Sequence, residues 1–124
     1  MSPFNKLTTK EEAYMRVLWQ LKHAFIREII EELPEPKPHY NTVSTTIKIL
    51  EEKGFVGHEE LGNSYRYYPR ISKEAYMSKE IGHLVSNYFD NSVFDLVTYF
   101  AKKERISEEE LTQIMDMINK SENQ

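Results

Sequence analysis

Apolar positions along this chain recur at helical spacing, give way once to an alternating stretch, and then return to helical spacing. Tyr14, Val17, Leu18 and Leu21 form the first stripe. Thr8 and Thr9 each stand three residues before a glutamate, Glu11 or Glu12, so either pair can close a capping box at its start. His23-Ala24-Phe25 interrupts the pattern, and Ile26, Ile29, Ile30 and Leu33 make a shorter second stripe. Closely spaced Pro34, Pro36 and Pro38 end it, because proline lacks the N–H that a helix interior needs. The third stripe is Val43, Thr46, Ile47 and Leu50, with Asn41 or Thr42 as the expected cap and Gly54 as the stop. The period then changes. Residues 55–61 and 64–71 are rich in aromatic and branched side chains and flank Gly62-Asn63, which predicts a β-hairpin. Pro69 should mark the end of its second strand or an edge position.

Beyond Ser72 the helical period returns. Met77, Ile81, Leu84, Val85 and Tyr88 form one stripe, and Val93, Leu96, Val97 and Phe100 another. Ser107 with Glu110 is a second capping box, opening a helix with Leu111, Ile114, Met115 and Ile118 inward. A piece of about fifty residues cannot bury that much apolar surface alone. The surface must meet the first domain or a second copy of the chain, and the second copy is the expectation. The order of elements therefore predicts a mainly α protein: a winged helix-turn-helix over residues 1–71, three helices and a hairpin wing, then a helical dimerisation domain over residues 72–124.

The third helix carries the candidate chemistry. At 100° per residue, Asn41, Ser44, Thr45, Lys48 and Glu52 oppose the apolar stripe, with Thr42 and Ile49 at the margin. Short hydroxyl and amide side chains near a helix start suit base edges and phosphate oxygens, and threonine methyls suit thymine methyls. On a purely solvated face Lys or Glu would serve helix formation better than Ser and Thr. The expected DNA-contacting set is Lys37, Tyr40, Asn41, Thr42, Ser44, Thr45 and Lys48, with Ser64 and Arg66 beside the hairpin turn. Tyr65, Tyr67 and Tyr68 have two readings, base stacking or core filling, and alternating hairpin aromatics favour the core.

Composition changes this picture little. Of 124 residues, 40% are hydrophobic and 29% charged, a globular profile. The net charge of −4 opposes nucleic-acid binding only in bulk, because residues 1–71 hold ten Lys/Arg and ten Glu and are neutral. Cysteine is absent, which excludes disulfides, thiolate zinc sites and cysteine nucleophiles. His23, His39, His58 and His83 lack ligand spacing, so neither a metal nor another cofactor is expected. No Gly-rich phosphate loop, GxSxG elbow or HExxH occurs, and an enzyme is not expected. No apolar run reaches the length of a membrane span, and the N-terminal residues lack a signal-peptide run, so no membrane insertion and a cytoplasmic location are expected.

The third-helix run from Thr42 to Val56, the hairpin ending Tyr65 to Ser72 and the following Lys73-Glu74-Ala75-Tyr76 resemble the penicillinase-repressor and methicillin-resistance-repressor family. Upstream, Glu12 and Trp19 stand in matching places, so the resemblance runs from about Leu7 to Lys120. It implies a homodimeric repressor acting on a two-fold symmetric double-stranded operator, with Thr42, Ser44, Thr45 and Lys48 among the contacts. Basic residues often seen in the family at two positions are here Ser44 and Ile49. It also implies derepression by a regulatory peptidase at an Asn-Phe pair, where this chain reads Tyr99-Phe100. Two other readings stand beside it: a winged-helix regulator answering to a small molecule, and a protein–protein adaptor that never touches DNA.

Overall fold

The computed structural model describes residues 6–103 and 105–122, with backbone only for 118–122. Helix α1 spans Thr9–Leu21, α2 Ile26–Glu32 and α3 Tyr40–Glu52. The antiparallel hairpin follows as β1, Val56–Leu61, and β2, Ser64–Pro69, and then come α4, Lys73–Tyr88, α5, Val93–Lys102, and α6, Glu108–Glu122. None of the described helices is long and apolar enough to cross a membrane.

Local chemistry explains most boundaries. At the start of α1, Thr8 Oγ1 accepts from the Glu11 N–H, and Glu11 Oε1 accepts from the Thr8 N–H. Of the two possible boxes, the chain uses Thr8 with Glu11. Ser107 and Glu110 make the same reciprocal pair before α6. The break at His23-Ala24-Phe25 has a tertiary cause: Ala24 pairs as an isolated bridge with Tyr67 of β2, through N–H···O bonds of 2.9 and 2.8 Å. Register Leu61↔Ser64 leaves Gly62-Asn63 as a two-residue turn. Gly62 takes a φ of 65° at its first position, where glycine is favoured. β2 ends at Pro69, as its missing N–H predicts.

The expected cap of α3 needs correction. The helix begins at Tyr40, with His39 at the cap position in extended backbone and no side chain bonding there. The Val43 N–H already donates to His39 O at 3.1 Å, so Asn41 and Thr42 lie inside the first turn. Prolines upstream hold the approach extended, and the helix starts as soon as they end. Its far end closes as the glycine predicts. Gly54 sits at φ 88°, its N–H donates to Glu51 O, and the Phe55 N–H donates to Leu50 O. Those two bonds form a Schellman motif, with Phe55 and Leu50 both buried as its apolar contact.

The chain divides into two compact units, Met1–Glu80 and Ile81–Gln124, so the first turns of α4 belong with the hairpin domain. Unit one has a continuous core in which Met15, Leu18, Ile29, Val43, Ile47, Leu50 and Val56 are fully buried. Tyr76 of α4 joins that core. Its ring packs near Trp19 and Phe55, and its hydroxyl accepts from the Leu7 N–H at 2.9 Å. Trp19 Nε1 donates to Ile71 O at 2.8 Å. Glu11 is a buried carboxylate, held by Lys53 Nζ at 2.8 and 2.9 Å. That pair ties the start of α1 to the end of α3.

Unit two has little core of its own. Among its described side chains only Val85 is buried, and α5 has no buried residue. Ile81, Leu84, Tyr88, Phe100, Ile114 and Met115 are exposed, while Leu96, Val97 and Leu111 are half-buried. Tyr88 and Phe94 are each 76% exposed. The inward placement expected for Ile118 lies outside the described side chains.

Candidate nucleic-acid interface

The inward stripe of α3 is buried as its spacing predicts: Val43, Thr46, Ile47 and Leu50 all lie in the core. Its other faces diverge. Tyr40, Ser44 and Lys48, spaced by four, line a cleft of about 750 Å³ between α3, the start of α2 and the hairpin. Ser64 reaches the same cleft from the hairpin, so four of the expected contacts converge. Asn41, Thr42 and Thr45 are exposed outside it.

Two threonine hydroxyls are partly committed. Thr45 Oγ1 donates to Asn41 O at 2.9 Å, and Thr46 Oγ1 donates to Thr42 O at 3.1 Å. A phosphate oxygen only accepts, so with its hydrogen used inside the helix Thr45 offers a lone pair and a methyl. Those suit a base amino group or a thymine methyl better than a phosphate.

The other two cations of the expected set, Lys37 and Arg66, sit elsewhere. Lys37 Nζ donates to Glu31 O at 2.8 Å and Leu33 O at 2.5 Å, where a cation favours the carbonyl end of α2. Arg66 lies between Tyr65 and Tyr67, which line the cleft, so the strand's alternation turns it to the opposite hairpin face. There it pairs with Glu59, its register partner, with Nε at 2.8 Å. The pair is about 40% exposed on both sides and therefore weak.

The tyrosines divide. Tyr67 is buried, and burial first, then the charge of Glu51, pushes its phenol upward and keeps it neutral. Tyr65 is exposed and stacks on His58, ring centroids 4.4 Å apart. His58 Nδ1 also meets the Glu51 carboxylate, which joins the hairpin to the C-terminal end of α3. The sequence expectation leaves out Arg27 and Asn63 as cleft residues, and it favours the core for Tyr65, which also lines the cleft. Arg27 carried a local signal, as the one cation on the polar side of α2.

A helix with short polar side chains outward, preceded by a second helix and flanked by a hairpin, defines a winged helix-turn-helix. The chain matches the family described as penicillinase repressor over residues 7–120. It belongs to that family, whose members are DNA-binding transcriptional repressors and not enzymes. The methicillin resistance regulatory protein MecI of Staphylococcus aureus (strain Mu50 / ATCC 700699) is 25% identical over 116 residues, 93% of this chain and 94% of that protein. The penicillinase repressor of Staphylococcus aureus is 24% identical over 115 residues, 92% of this chain and 91% of that protein. The solved CopR repressor is 31% identical, covers 56% of this chain and 100% of its own, and superposes with a TM-score of 0.46.

Proposed function

We propose that this repressor binds a two-fold symmetric operator as a homodimer and acts by excluding RNA polymerase. The observation that carries the reading is the convergence of Tyr40, Ser44 and Lys48 of α3 with Ser64 of the hairpin on one cleft. Asn41, Thr42 and Thr45 extend this surface along the helix for base contacts, in a domain whose core holds α3 rigidly. The hairpin domain, expected over residues 1–71 and carrying the first turns of α4 with it, then serves as the DNA-binding domain, and the rest of residues 72–124 as the dimerisation domain. The exposed apolar side chains of unit two support the latter role. Lys37 and Arg66 can offer DNA only the donors that their internal partners leave free.

Derepression by a peptidase at Tyr99–Phe100 is part of the proposal. Both side chains are exposed, and the bond lies in the last turn of α5, where fraying offers the extended backbone that cleavage needs. Selection from a random duplex pool with the purified full chain tests the reading. Recovery of an inverted repeat supports it, and recovery of no shared sequence contradicts it.

A further inference from the structure

A recognition helix in the major groove and a hairpin in the adjacent minor groove must straddle one sugar–phosphate strand. In this chain the space between those elements is the 750 Å³ cleft. We propose that the cleft is the channel for that strand and that Arg27 of α2 is its second phosphate-contacting cation, beside Lys48. The inference rests on the DNA reading above and adds a residue to it.

Charge accounts for the need. Glu28 and Glu60 line the cleft along with Arg27 and Lys48. Glu28 Oε1 is occupied by the Phe25 N–H at 2.8 Å but keeps its charge. With Lys48 alone the cleft would carry a net negative charge and repel a phosphodiester, and Arg27 brings it to neutrality. The other nearby cations are engaged: Lys37 on the carbonyls that end α2, and Arg66 with Glu59 on the far hairpin face. The side chains of Arg27 and Lys48 make no hydrogen bond or ion pair among the described residues, and Arg27 is exposed. Its guanidinium can present two parallel N–H donors to one phosphate, which a lysine cannot do.

Phosphate contacts do not depend on sequence, so a labelled random-sequence duplex titrated at several salt concentrations is a sufficient probe. Arg27→Gln should weaken binding by roughly tenfold per protomer. It should also flatten the log–log salt dependence by about 0.9 per protomer. Arg27→Lys should keep the slope, Arg66→Gln should change it little, and Glu60→Gln should tighten binding. Unchanged Trp19 emission shows that each variant is folded. An unaltered slope in Arg27→Gln, or a larger loss in Arg66→Gln, overturns the assignment of Arg27 while leaving DNA binding intact. Failure of the wild-type chain to bind any duplex in a salt-dependent way overturns both readings together.

Discussion

Replacing Lys53 by methionine strands a buried carboxylate. Glu11 is 5% exposed, and both its oxygens accept from Lys53 Nζ, at 2.8 and 2.9 Å. Breaking a fully buried pair by removing one partner costs roughly 3–5 kcal/mol. Here the Lys53 side chain is 34% exposed, so water can replace part of the lost contact. About 2 kcal/mol is therefore the expected loss for Lys53→Met at neutral pH. Glu11→Gln removes the buried charge instead and keeps an acceptor for the Thr8 N–H, and should cost about 1 kcal/mol or less.

The pH dependence separates loss of the ion pair from simple loss of packing. Burial raises the Glu11 carboxyl, but the Lys53 hydrogen bonds, the Thr8 N–H and the Lys53 charge outweigh it, and the net effect is a lowering. A carboxyl that ionises at lower pH in the folded chain stabilises that state above its ordinary value of 4.5. That contribution is lost as the pH falls through the lowered folded value. In Lys53→Met burial dominates and favours the protonated form, so the difference from wild type should shrink on acidification. Urea unfolding followed by the single tryptophan, Trp19, reports on unit one and measures both quantities. A stability gap that is constant from neutral to acid pH, or an equal loss in the two variants, would refute the ion-pair reasoning.

Two further substitutions test other parts of the structure. Gly54→Ala places a side chain at φ 88°, with no neighbour within 4 Å to clash, so the loss should come from backbone strain alone, about 1–2 kcal/mol in the same urea assay. Phe94→Glu puts a charge on a residue that is 76% exposed in the single chain, and sedimentation should show the proposed dimer shifted towards monomer with Trp19 emission unchanged.

Much of the fold was legible because its signals are local. Thr8 with Glu11, Ser107 with Glu110, the Gly62-Asn63 turn, Gly54 and Pro69 each act through their own backbone or a neighbour within one turn. Capping propensity points to Asn41 and Thr42 for the start of α3. The chain instead turns helical directly after the proline segment, with an uncapped His39. The break before α2 depends on Ala24 meeting Tyr67, more than forty positions away, which no local pattern encodes. Tyr76 was likewise absent from the apolar stripe of α4 because it packs on unit one.

The candidate site was less legible than the fold. Helical projection found the outward residues of α3 correctly, since their exposure follows from the period alone. It could not show that Lys37 turns back to the carbonyls of α2 or that Arg66 is held by Glu59. Charge availability depends on tertiary partners. Arg27 shows the converse: its place in the cleft appears only once α2, α3 and the hairpin are brought together.

The proposed reading of a symmetric duplex by a dimer of this chain underlies the other expectations. Stoichiometric titration of the selected operator, against a random duplex of equal length at physiological salt, tests it most directly. Two chains per operator and a preference over random sequence of roughly 10³-fold or more are expected. One chain per duplex, or equal affinity for both duplexes, would contradict it.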